Sequence, residues 1–65
     1  MNLKGKSSKD MVKLIEANGW FLVHTVGDHR QYKHKTKPGK VTIPHPNKDI
    51  PIKTVKSILK QAGLL

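Results

Sequence analysis

Apolar residues run along this chain in three rhythms. Across residues 7–19, "SSKDMVKLIEANG", Met11, Leu14 and Ile15 recur at helical spacing, and Val12 widens the stripe. Lys9, Lys13 and Glu16 take the outer face. Both ends of this helix are marked. Ser7 is placed to cap it, Asp10 stands where a capping box wants an acid, and Gly19 suits the left-handed residue that ends it. Residues 20–26, "WFLVHTV", are β-branched and aromatic and predict a strand. That run is apolar on both alternating faces, so it does not say which face is buried. Gly27-Asp28 predicts a two-residue hairpin turn, and 29–34, "HRQYKH", the return strand. Alternation is informative here. His29, Gln31 and Lys33 share one polar face; Arg30, Tyr32 and His34 share the other, and Tyr32 is the only large apolar body. Tyr32 is therefore expected in the core and His29 on the open face.

The third strand is short, "VTI" at 41–43, set off by Pro38-Gly39 and stopped by Pro44. "PHPNKDIP" is too rich in proline for regular structure. The helical rhythm then returns. Ile52, Val55, Ile58, Leu59 and Ala62 form a stripe, with Pro51 at a first-turn position and Gly63 at the end. Lys53, Lys56 and Lys60 make a ridge on the solvent side. The order is helix, three antiparallel strands, helix. Two amphipathic helices need an apolar surface, and one face of the sheet offers it. The expected fold is a single α+β domain over residues 1–65, with both helices on one sheet face in the double-stranded-RNA-binding-domain topology. Residues 1–6 are expected to fray.

Size narrows the function. A 65-residue domain buries only about 60% of its unfolded surface, which leaves no room for a deep substrate cavity. Any chemistry happens on an open face. Charge narrows it further. Thirteen lysines and arginines against four acids give +9, and Arg30 is the only arginine. The cations run from Lys4 to Lys60 among apolar residues, so they are not a basic tail. A charge of this size calls for a polyanionic partner, nucleic acid first and an acidic protein second. There is no cysteine, hence neither disulfide nor thiolate metal site, and a disulfide-free small domain suits the cytoplasm. The basic start lacks the apolar core of a signal peptide, and no run is long enough to span a membrane.

Most catalytic constellations are missing. The four histidines (24, 29, 34 and 45) have no carboxylate or cysteine at ligand spacing, so no metal or other cofactor is expected. The serines fall on or beside predicted helices, and the four acids are scattered. His29 stands apart because it follows the turn, near a sheet end that a ligand can reach. An imidazole there can take a proton from a sugar hydroxyl, while Arg30, Lys33 and Lys35 hold the phosphate. That is the minimum for RNA cleavage without a metal: the activated 2′-hydroxyl attacks its own phosphate, leaving a 2′,3′-cyclic phosphate and a 5′-hydroxyl. The plain alternative is an exposed hairpin histidine without a role. Lys53 and Lys56 are candidates for backbone phosphates, or simply a solvated helix face. Trp20, Phe21 and Tyr32 are read as core residues before base-stacking ones. The general acid is open between His24, which shares the open face if the turn is a simple two-residue one, and solvent.

At this point the order of "NGW", "GDHRQYKH", "KPGKVTIPHP" and "IPIKTVKSILKQAG" resembles the HicA family, the small toxins of HicAB type II toxin–antitoxin systems, from about Ser7 to Leu64. The resemblance implies the same fold. It implies an mRNA interferase, a ribosome-independent endoribonuclease that halts translation, and a HicB-type antitoxin bound over the active face. It places His29 at the family's catalytic histidine, Tyr32 at its hairpin aromatic and His45-Pro46 at its "HP". There are departures: Asp28 replaces a serine, and Arg30 stands where a second histidine is usual. Two other readings use the same +9. One is a non-catalytic module that grips single-stranded RNA. The other is a basic subunit whose ligand is an acidic protein. The free chain, with no evident dimer patch, is expected to be a monomer.

Overall fold

The computed structural model describes residues 3–65 and contains the five expected elements: α1 (Ser8–Ala17), β1 (Trp20–Val26), β2 (His29–His34), β3 (Val41–Pro44) and α2 (Ile52–Gln61). The strands form one antiparallel sheet in the order β1-β2-β3. Trp20, Tyr32, Val41 and Ile43 bury one face of it against Met11 and Ile15 of α1 and Val55, Ile58 and Leu59 of α2. Both helices thus sit on one face of an α+β fold, and the other face is bare. No helix among the described residues is long and apolar enough to cross a membrane.

Local chemistry explains the helix ends. Ser7 Oγ accepts from the Asp10 amide at 3.1 Å, and Asp10 Oδ2 accepts from the Ser7 amide at 2.9 Å, so the capping box is complete. The Ser7 backbone and side-chain bonds hold the Asp10 carboxyl below its ordinary value. The stability this gives is full above the unfolded-state pKa and is lost as pH falls through the lower folded-state one. Gly19 has φ +93°, and an added Cβ would lie 2.7 Å from His34 Nε2, so only glycine fits there.

Three details differ from the sequence pattern. β3 runs through Pro44, which stands opposite His29. Proline lacks only the N–H, and β3 is an edge strand, where that loss is tolerated. Pro51 is the N-cap residue of α2 rather than part of its first turn. Ile52 leaves the core stripe at 43% exposure, and Ile50, in the loop before the helix, is buried in its place.

That loop is fastened to the start of α1. The buried Ser8 donates its N–H to Asn47 O at 2.8 Å and its Oγ–H to the same oxygen at 3.1 Å, and its Oγ accepts from the Asn47 amide at 2.9 Å. Three residues on, the Ile50 amide donates to Lys6 O at 2.7 Å. Of the segment expected to fray, residues 1 and 2 lie outside the described residues, Leu3 is half-buried against the core and Lys6 is held by this bond. Ser8→Ala leaves the Asn47 amide unpaired. It should lower stability by about 1–3 kcal/mol, read as a fall in urea midpoint with the m-value unchanged.

Candidate nucleic-acid face at the hairpin end

The turn expected at Gly27-Asp28 is present, with Gly27 at φ +58° as a glycine-first turn requires. It sets Val26 opposite His29, Thr25 opposite Arg30 and His24 opposite Gln31. The pairing then shifts by one residue between Leu22 and His24, so that Leu22 faces Tyr32 and Trp20 faces His34. This β-bulge places Val23 as an extra residue. In a regular strand Trp20 and His24 would share a face. Here Trp20 enters the core while His24 stays on the bare face with His29.

The bare face therefore carries His24, Val26, His29, Gln31 and Lys33, with Phe21 opposite Lys33. The His29 side chain is 58% exposed. Its Nδ1 lies 3.2 Å from Asp28 Oδ1. Asp28 thus stands next to the ring at the turn, with both side chains largely exposed. Lys33 shares the face but lies four residues along the strand, about 13 Å away at 3.3 Å per residue.

The other candidates are not gathered at His29. Arg30 belongs to the opposite face, paired with Thr25 and Ile43. Lys35 follows the end of β2 and is exposed. Lys53 and Lys56 lie on the exposed side of α2, in the helical layer behind the sheet. The cations flank His29 from two sides of the sheet instead of forming one pocket around it. Among the described residues, no three His, Asp or Glu side chains come together where they could hold a metal ion.

Two histidines have roles that the pattern did not reveal. His34 is a structural joint. The Thr36 and Lys37 amides donate to its Nδ1 at 3.0 and 3.1 Å, so Nε2 carries the proton and donates to Asn18 O at 3.0 Å. Its ring also meets Trp20 edge-on, with centroids 5.2 Å apart. His45 is half-buried, and its amide donates to Asp28 O at 2.6 Å, which continues the ladder past Pro44 and brings this imidazole to the His29 end of the sheet. Its only signal in the sequence is the "HP" after the third strand.

Fold and site define a small cationic α+β domain that presents an imidazole on a bare sheet face. Residues 8–64 match the family model described as the HicA toxin of bacterial toxin–antitoxin systems. The chain belongs to the HicA toxin family. Among solved structures it is similar to a chain of a toxin–antitoxin complex from Streptococcus pneumoniae, with 32% sequence identity and a TM-score of 0.74, covering 89% of this chain and 97% of that one. Comparison with curated proteins finds no match.

The two kinds of histidine separate experimentally. His34→Ala leaves two amides and a carbonyl without their partner and should cost about 1–3 kcal/mol. Thermal unfolding of His34→Ala should shift down, whereas His29→Ala, which loses no backbone partner, should unfold at the wild-type temperature.

Proposed function

We propose that this chain is a metal-independent endoribonuclease that cleaves single-stranded mRNA, with His29 as the general base. The observation that carries the reading is the exposed His29 ring, 58% accessible on the bare face of a cationic domain and flanked by Asp28 3.2 Å from its Nδ1. Family membership supports it, since HicA toxins in general cleave RNA. His29 Nε2 takes the proton of a ribose 2′-hydroxyl. The 2′-oxygen bonds to the adjacent phosphorus as the bond to the 5′-oxygen breaks. The departing oxygen takes a proton from His24, which the bulge keeps on the same face, or from water. The products are a 2′,3′-cyclic phosphate and a 5′-hydroxyl. Lys33, about 13 Å along the bare face, holds a phosphate further along the strand. Arg30 and Lys35 hold flanking phosphates at the sheet margins, and Lys53 and Lys56 follow the backbone across α2.

A HicB-type antitoxin neutralises the enzyme in the cytoplasm by covering His29. The bare face offers such a partner Val26, 53% exposed opposite His29, and Phe21, 48% exposed further along opposite Lys33, among cations that acidic groups would meet. The likeness to a chain from a toxin–antitoxin complex supports this. The free chain is a monomer, because two copies at +9 repel each other.

The test uses pure protein and end-labelled single-stranded RNA in EDTA. Wild type should leave cyclic phosphate ends, and His29→Ala should cut the rate by about 10²–10⁴. Asp28→Asn should lower kcat by no more than about fivefold, because an exposed pair contributes at most about 1 kcal/mol. Intact RNA bound tightly by both wild type and His29→Ala would instead make the protein a non-catalytic RNA-binding module.

A further inference from the structure

On the helical side of the same sheet end lies a cavity of about 360 Å³, within the range of small-ligand sites. Lys9, His45, Pro46 and Lys48 line it together with Ser7, Ser8 and Asn47, and the nearby Asp10 carboxylate is taken up by the Ser7 amide and hydroxyl. The hydrogen bonds between Ser8 and Asn47 fix the two walls relative to each other. The amide of His45 is bonded to Asp28 O, and Asp28 is the residue that holds the His29 ring. The cavity is thus tied to the proposed cleavage site through one backbone contact. The helix terminus is not itself the ligand site: the Ser8 amide is spent on Asn47 and the Asp10 amide on Ser7.

We infer that this cavity is a nucleotide subsite, which holds a neighbouring nucleotide of the RNA whose cleaved phosphate lies at His29. The inference rests on the ribonuclease reading and extends it. Two lysines suit a phosphate, and the one carboxylate nearby, Asp10, is engaged by Ser7 in the capping box. The imidazole of His45 gives a base a flat surface to stack on, as single-stranded bases use histidine and aromatic rings in other RNA-binding proteins, and the Pro46 ring adds an apolar wall. Arg30 projects on this same side of the sheet, since it pairs with Ile43 two residues before His45. The RNA therefore turns round the end of the sheet, from His29 on the bare face, past Pro44, to Lys9 and Lys48 on the other.

The probe is a short RNA with 2′-O-methyl groups throughout, which binds but lacks the attacking hydroxyl. The variant is Lys9→Gln with Lys48→Gln. Its control is Lys13→Gln with Lys40→Gln, which removes the same two charges away from the cavity. Two lost phosphate contacts on a single strand should lower the slope of log K against log salt by about 1.4 and weaken binding by at least roughly tenfold at 0.1 M salt. The control pair should change both far less. On titration of wild type, the His45 ring and Asn47 amide resonances should shift. With natural RNA the cavity variant should raise KM and keep kcat. Equal losses in the two double variants, with His45 and Asn47 unmoved, would overturn the subsite. If wild type binds the probe with these signatures but never cleaves natural RNA, the ribonuclease reading fails and the subsite stands.

Discussion

Trp20 and His24 are four residues apart on one strand, and a regular strand would point them the same way. The core needs the indole, which is 2% exposed, and the bare face carries the imidazole. The extra residue at Val23 reconciles the two by reversing the alternation of β1 halfway along. The inner half then packs through Trp20, while the outer half is a two-residue hairpin with His24 and Val26 on the side of His29. Without that reversal, either Trp20 would leave the core or β1 would present Thr25 where His24 now stands. The placement of His24 and Val26 depends on it, whereas β2 sets the face of His29 by its own alternation from the buried Tyr32.

Backbone satisfaction governs the rest of the frame. A chain of 65 residues has few buried side chains to spare, so its irregular segments are held by hydrogen bonds. Ser8 and Asn47 fix the proline-rich loop, and Ile50 reaches the core once its amide is bonded to Lys6 O. His34 ties α1 to the loop after β2. Gln61 Oε1 accepts the Thr42 amide at 2.9 Å and covers part of the β3 edge. On β1, Phe21, Leu22, Val23 and Val26 stay exposed. An apolar edge of this kind is a liability in a free protein and an asset in one that meets a partner.

Charge and geometry pull the function in one direction. The domain is cationic all round, yet the sheet divides the cations. Lys33 shares a face with His29, whereas Arg30, Lys9, Lys48 and the α2 lysines lie on the helical side. A compact ligand could meet only one set. A flexible polyanion bending round the sheet end meets both, which is the geometry that the proposed ribonuclease reading requires of its substrate.

Much of this was written in the sequence. The two helices, the three strands, the glycine-first turn, the capping box and the inward Tyr32 all follow from local propensities and from alternation in "HRQYKH". The exposed His29 follows too, because its strand is polar on that face. In "WFLVHTV" apolar residues fill both faces, so periodicity has nothing to distinguish, and the bulge arises only when Trp20 and Tyr32 compete for the same core. The exchange of Ile52 for Ile50, the bond from His34 to Asn18 and the cavity beside His45 likewise depend on partners 16 to 44 residues away in the chain. Local sequence sets the conformation of each segment. Which segments meet, and which face each side chain then takes, is decided by long-range contacts that only the folded chain makes.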